Sequence, residues 1–415
     1  MTPEVLVYAD WEAFSQPVLV GVLRQSMVRN HEHFSFRYDD AWLTSDHVRA
    51  IDPELELFQG EQHSSGEDNF RTFLDSCPDR WGRTLMQRRE AILARQEDRP
   101  RRRLTELDYL LGVHDAYRMG ALRFKEVENG PFLNDLDELA APPVTSLRQL
   151  EQAAWCVQGP ESDDDPDIAR WVGMLISPGS SLGGARPKAS VVVGSSELWL
   201  AKFPGREDDH DVAAWEYVAY LLALEAGIVM APAEIRTFTL PHQTFLTRRF
   251  DRSPESRIHF SSAMTQLGYY DGRADGASYL EIAEFLTRSG GNVSEDLPQL
   301  WRRILFSVAV SNTDDHLRNH GFLLTSAGWI LSPAYDINPN PAGPAGLTLN
   351  IDEVDNSLDI DLVMSVAPYF QLRAPRAKAI RDEVLTAVMA WRTKAENQGL
   401  PAIEIDRMAL AFQLS

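Results

Sequence analysis

The sequence predicts an α+β protein, and three observations carry that expectation. Residues 4–45 alternate short β-type runs (VLVYA, VLVGVL, HFSFRY) with polar breaks, the pattern of a small sheet. Residues 188–204 read as strand, turn, strand: KASVVV, then GSSE, then LWLAKFP. From about residue 278 the chain turns mostly helical, over 278–288, 298–311 and 374–396. The β-rich runs come first and the helices last.

The elements between them follow local signals. Phe70, Phe73, Leu74, Trp81, Leu85 and Met86 recur at loose helical spacing, which predicts a helix over 70–95. Arg99-Pro-Arg-Arg-Arg103 is a basic run, read as a solvated loop before the next helix (104–111) rather than as a phosphate patch. A strand follows at 120–124. Residues 126–170 form a connector with Asn129-Gly-Pro, Ala141-Pro-Pro and an acidic run at 161–167, read as a solvated loop. A helix over 211–226 and strands near 234–239 and 243–248 lead into the C-terminal helices. A loop and hairpin occupy 312–337. No internal repeat is visible.

Composition narrows the function. At 415 residues the chain holds two or three domain-sized units. It is 44% hydrophobic and 24% charged, as ordinary globular proteins are. Forty Lys and Arg stand against 61 Asp and Glu, a net charge of −21. So acidic a surface argues against direct binding to DNA or to a membrane, which needs a basic face. Two cysteines, Cys77 and Cys156, cannot build a disulfide framework and fit a reducing compartment. The N-terminal residues show no basic-then-apolar secretory pattern. The longest apolar stretch, 212–233, contains Glu216 and Glu225, which a membrane span would rarely tolerate. The expectation is a cytoplasmic protein.

Three segments carry chemistry. Ser180-Ser-Leu-Gly-Gly-Ala-Arg-Pro-Lys188 precedes the first strand of the 188–204 hairpin, and paired glycines such as Gly183 and Gly184 let backbone N–H groups turn inward on a phosphate. An ordinary turn reads the same way, and the Walker A spacing is absent. Lys202 is the one ammonium in Leu198-Trp-Leu-Ala-Lys-Phe203. A buried lysine needs a partner, and Glu216, alone in an apolar helix, is the natural one. The alternative is an edge-strand lysine that snorkels to water. The strongest signal is Val308-Ala-Val-Ser-Asn-Thr-Asp-Asp-His-Leu-Arg-Asn-His-Gly-Phe322. Asp314 and Asn319 have the offset of Asp and Asn in the kinase loop H-R-D-x-x-x-x-N, where a carboxylate orients the attacking hydroxyl and an amide oxygen ligates Mg²⁺. Asp336 ends a short hairpin, the place of the metal-binding Asp in kinases. A zinc reading of Asp314, Asp315, His316 and His320 is the rival, and it gives the glycine loop and Lys202 no role. His316 is read as orienting the loop.

Together these segments resemble the HipA family of bacterial serine/threonine kinases, the toxin halves of HipBA-type toxin–antitoxin pairs. The resemblance runs over nearly the whole chain and rests on Cys77-Pro-Asp-Arg-Trp-Gly-Arg83, Tyr117-Arg-Met-Gly-Ala-Leu-Arg-Phe124, the 181–188 loop, Phe250-Asp-Arg252, Asn312-Thr-Asp-Asp-His316 with Asn319, and Ser332-Pro-Ala-Tyr-Asp336. It implies a two-lobed kinase-like fold with an N-terminal-type subdomain over 1–125, a connector and nucleotide-binding lobe over 126–255 and a helical lobe over 256–415. It implies ATP and Mg²⁺ as cofactors. Asp314 becomes the base, Asn319 and Asp336 the Mg²⁺ ligands and Lys202 the phosphate holder. Ser181, Gly183, Gly184, Lys188, Glu216, Arg248, Phe250 and His316 complete the nucleotide site, with the strand over 246–250 as hinge. Ser181, or its neighbour Ser180, matches an autophosphorylated serine that switches relatives off. The implied partners are a protein acceptor, such as an aminoacyl-tRNA synthetase or another translation factor, and a small helix-turn-helix antitoxin through which DNA is reached indirectly. A small-molecule kinase, or an inactive nucleotide-binding partner of the antitoxin, is the alternative function. The chain departs from the family at Ser262-Ala-Met-Thr-Gln266, where an acidic-aromatic stretch is usual.

Overall fold

Alternation along the first forty residues builds a sheet. In β1 (Glu4–Ala9) the apolar residues point to the core while Glu4 stays exposed. β1 pairs antiparallel with β2 (Val18–Val28), and β2 with β3 (His31–Tyr38), in a hairpin whose register runs from Gly21 opposite Tyr38 to Val28 opposite His31. A Cβ on Gly21 would lie 2.3 Å from the Arg37 carbonyl oxygen, so only glycine fits there. The short β4 (Gln62–His63) and β5 (Leu122–Lys125) close the two sides, giving the order β4-β3-β2-β1-β5. Phe36, Phe70, Phe73 and Phe124 pack edge-on and tilted behind it, with ring centroids 5.9–6.5 Å apart.

The computed structural model describes every residue except 1–2, 30, 66–68, 137–139, 160–166, 176–183, 185, 195, 240, 254–255 and 413–415. The chain divides into two compact units, Met1–Arg206 with Asp251–Ser261, and Glu207–Phe250 with Ser262–Ser415. The segment 126–255 therefore contributes to both.

In the first unit the helix expected over 70–95 is two helices, Arg71–Leu74 and α1 (Arg80–Gln96). Pro78 breaks it, since the residue before a proline is pushed out of the helical region. Asp79 restarts it, its carboxylate capping Gly82 N at 2.8 Å. The next helix, α2 (Glu106–Gly112), opens on a Thr105–Asp108 capping box. Arg99 of the basic run bonds to Glu90 and Glu97, and Arg102 to Asp108. The connector carries helices α3 (Leu147–Val157) and α4 (Ile168–Leu175). Most of its acidic run lies outside the described residues. The hairpin forms as expected, from β6 (Lys188–Val193) and β7 (Glu197–Lys202), with Lys188 directly opposite Lys202.

The second unit is mainly helical. It opens with α5 (Val212–Glu225) and the hairpin β8 (Ala233–Arg236) and β9 (Thr244–Arg248). Then come α6 (Tyr279–Ser289) and α7 (Val293–Ala309), which starts five residues before the expected 298. Pro298 alone looks like a helix start, but the acidic first turn of Glu295 and Asp296 begins the helix earlier. The hairpin β10 (Gly321–Thr325) and β11 (Gly328–Leu331) follows. The helix expected over 374–396 breaks at Ala390 into Ala374–Met389 and Trp391–Asn397. The core joins Trp215, Leu222, Leu300, Trp301, Leu305 and Phe322, among others, at 0–1% exposure. Among the described residues no helix is long and apolar enough to cross a membrane.

Candidate active site

The polar cluster at the end of α7 is built on a buried acid. Asp315 is 3% exposed and accepts from the Tyr279 hydroxyl at 2.6 Å and the Ser307 hydroxyl at 3.1 Å, while His320 Nε2 lies 2.9 Å from its other oxygen. Burial alone would raise this carboxyl. His320 and the two hydroxyls outweigh burial and hold it below the ordinary carboxylate range. Asn312 ties the cluster to the segment after β11. Its Nδ2 donates to Ser307 Oγ at 3.3 Å and its Oδ1 accepts from Asn338 N at 3.1 Å. Asn340 Nδ2 donates to Thr313 Oγ1 at 3.1 Å, a second tie between the same two segments.

Asp314 sits on this frame with its side chain exposed. Partial desolvation raises its carboxyl first, and the charges of Asp336 and Asp315 push the same way against His316. A raised, accessible carboxylate is what a general base requires. Asn319 closes the turn, its Nδ2 donating to the Asp314 carbonyl at 3.1 Å. Its Oδ1 is buried and has no hydrogen-bond partner. Asp336 is held at φ 57°, a left-handed conformation uncommon for a non-glycine residue. Asn338 Nδ2 donates to its Oδ1 at 3.3 Å. An orphaned amide oxygen and a carboxylate are the donors a hard divalent cation takes, so these residues fit Mg²⁺.

The structure thus brings Asp314, His316, Asn319 and Asp336 together in the second unit. Phe250 lies there too, its ring 5.5 Å from Tyr335, whose hydroxyl donates to the Arg318 carbonyl. Arg248 is exposed at the end of β9, and Glu216 is buried in α5. Gly184, Lys188 and Lys202 belong to the first unit. Lys202 is 6% exposed, which overturns the snorkelling alternative. Ser180, Ser181 and Gly183 lie outside the described residues. The zinc reading loses two of its four ligands, because Asp315 and His320 are bonded to each other. Among the described residues no three His, Cys, Asp or Glu side chains form a metal cluster. Sequence reasoning missed Tyr279, Ser307 and Asn338. Asn338, two residues after Asp336, was within reach of a local search, whereas Tyr279 is joined to Asp315 only by folding.

A family model described as the HipA-like C-terminal domain matches residues 180–391, just over half of the chain. The chain belongs to that family. Across 95% of its length it also superposes on a chain from the Shewanella oneidensis MR-1 toxin–antitoxin complex of HipA, HipB and operator DNA, covering 93% of that chain at 17% identity with a TM-score of 0.63. The α+β, HipA-type fold read from the sequence is therefore the fold of the protein. The chain is 31% identical over 97 residues to a Sinorhizobium fredii protein named "Putative kinase Y4dM", a match that spans 23% of each. A Helicobacter pylori kinase, CtkA, matches 56% of the chain at 13% identity and a TM-score of 0.37.

Proposed function

We propose that this HipA-family chain is an ATP- and Mg²⁺-dependent serine/threonine protein kinase, acting in the cytoplasm as the growth-arresting toxin of a toxin–antitoxin pair. The observation that carries the reading is the pairing of a raised, accessible Asp314 with the orphaned Asn319 Oδ1 and the strained Asp336. Phosphoryl transfer needs little beyond positioning and charge. Asp314 would orient and deprotonate the attacking hydroxyl. Asn319 and Asp336 would hold Mg²⁺ on the phosphates, and 246–250 would take the adenine. Ser181, or Ser180, would be the autophosphorylated residue. A phosphate there carries about −1.5 to −2 charge and would repel the nucleotide. The acceptor would be a protein of the translation machinery, such as an aminoacyl-tRNA synthetase. The partner would be a small helix-turn-helix antitoxin, in keeping with the HipB and operator DNA that accompany the Shewanella relative.

Incubating the protein with labelled ATP and Mg²⁺, first with cell lysate and then with a metabolite mixture, tests the reading. Label in a protein band that disappears in Asp314→Asn supports it. Label only in a metabolite replaces it with a small-molecule kinase.

A further inference from the structure

The motif Cys77-Pro-Asp-Arg-Trp-Gly-Arg83 takes no part in the chemistry above, yet two of its side chains grip residue 188. Asp79 caps α1 through one carboxylate oxygen, and its other oxygen takes the Lys188 ammonium at 2.7 Å, with both side chains 3% exposed. The same ammonium donates to the Gly184 carbonyl at 3.2 Å. The Trp81 indole N–H donates to the Lys188 carbonyl at 3.1 Å. Lys188 is therefore tied by side chain and main chain to one motif more than a hundred residues earlier. Gly184 itself has φ 86°, a left-handed conformation in which a side chain would be strained.

The hairpin register adds an electrostatic reason for the pair. Lys188 and Lys202 stand directly opposite each other on antiparallel strands, and both are buried. Opposite side chains start about 5 Å apart and like charges there repel. The Asp79 carboxylate cancels one of the two.

We infer that Asp79 is a positioning residue, which through Lys188 fixes the Gly184 end of the glycine-rich segment and neutralises the charge facing Lys202. This rests on the kinase reading for its consequence, though not for its geometry. It also moves Lys188 from the phosphate ligands expected by resemblance to the support of the loop.

The test compares full-length Asp79→Asn, Asp79→Ala, Lys188→Met and the double variant Asp79→Asn with Lys188→Met. Asparagine caps a helix about as well as aspartate, so Asp79→Asn removes the ion pair and keeps the cap. Hydrogen exchange of a peptide spanning 184–188 should rise about tenfold in that variant while α1 exchanges as before. The KM for Mg-ATP should rise about tenfold with a smaller change in kcat. The double variant should be no worse than the worse single, because both changes break one link. Wild-type exchange and KM in Asp79→Asn, with α1 loosened only in Asp79→Ala, would reduce Asp79 to a helix cap and overturn the inference. Should Asp79→Asn fail to fold, the double variant buries no unpaired charge and decides by the same exchange measurement. Should the wild type show no turnover of ATP, the kinase reading fails, and exchange at 184–188 still decides the anchor.

Discussion

Each unit of the chain contains a buried aspartate held below its usual range, and the two differ in what stands beside them. In the first unit Asp115 faces Arg123 and Arg257, with ion-pair distances up to 3.1 Å, and Arg118 donates to the carbonyls of Ser76, Leu110, Val113 and Leu133 around it. Burial pushes the Asp115 carboxyl up, and the arginines more than reverse it. In the second unit Asp315 is fixed by Tyr279, Ser307 and His320, but its chain neighbour Asp314 is exposed and raised, and Asn319 has an unsatisfied oxygen. The first knot turns its charge onto its own segments. The second props up groups that are left to act on something else. Unsatisfied buried atoms lie in both knots, Arg257 Nη1 beside Asp115 and Asn319 Oδ1 near Asp315, so what sets the second apart is the exposed carboxylate next to its buried acid.

The largest effect expected is on stability. Removing either buried charge strands its partners, at a cost of about 3 kcal/mol. Asp115→Asn should raise hydrogen exchange throughout β1–β3, and Asp315→Asn should do so in α7 and β10. Wild-type protection in either variant would break the parallel between the knots. Asp314→Asn should separate them. Stability should stay within about 0.5 kcal/mol, while phosphoryl transfer from labelled ATP falls about 100-fold or more. Near wild-type transfer would move the base away from Asp314. A smaller effect tests the cation. ATP at ten times its Kd should stabilise the protein by about 1.4 kcal/mol by mass action, seen as a rise in Tm only when Mg²⁺ is present. Asp336→Asn should blunt that rise, and an equal rise in excess EDTA would remove Asp336 and Asn319 from the metal.

Much of the fold was legible because period and punctuation are local. The hairpins at 188–202 and 321–331 and the helices from Tyr279 onward follow from alternation, apolar spacing and caps. Boundaries failed where one residue has two uses: Pro298 looks like a helix start but lies inside α7, and the stop at Ala390 has no sequence mark. In the site, the offset of Asp314 and Asn319 was readable, because motif chemistry is written in consecutive residues. What distinguishes Asp314 from Asp315 was not. That difference depends on Tyr279, 36 residues away, and on which of two adjacent carboxylates the turn after α7 points inward. The same limit hid the partner of Lys188, 109 residues distant.

The smallest effect separates the units by pH. His259 in the first unit is buried and stacked on Trp11, with ring centroids 5.1 Å apart, and burial together with Arg49 pushes its pKa down to about 3. A group depressed on folding binds its proton only when the chain unfolds, so its stability is present above the unfolded value of 6.5 and is lost as pH falls toward 3. From pH 7 to 5.5 that loss is about 1.3 kcal/mol. Asp52 works in the opposite sense. It accepts from Glu54 N and Thr72 N, yet burial raises it to about 6, so the folded state takes up a proton first. The same acidification then adds about 0.8 kcal/mol. Asp315 in the second unit is held low, so its contribution is lost only below the ordinary carboxylate range and stays flat over this interval. His259→Phe preserves the stack and removes the titration. Relative to wild type, exchange-derived stability of the β1 amides on going from pH 7 to 5.5 should improve by about 1.3 kcal/mol in that variant. In Asp52→Asn it should worsen by about 0.8 kcal/mol. Identical pH profiles in wild type and His259→Phe would show that the imidazole takes up its proton as readily in the folded protein as in the unfolded chain, and the burial argument for the first unit would fall with it.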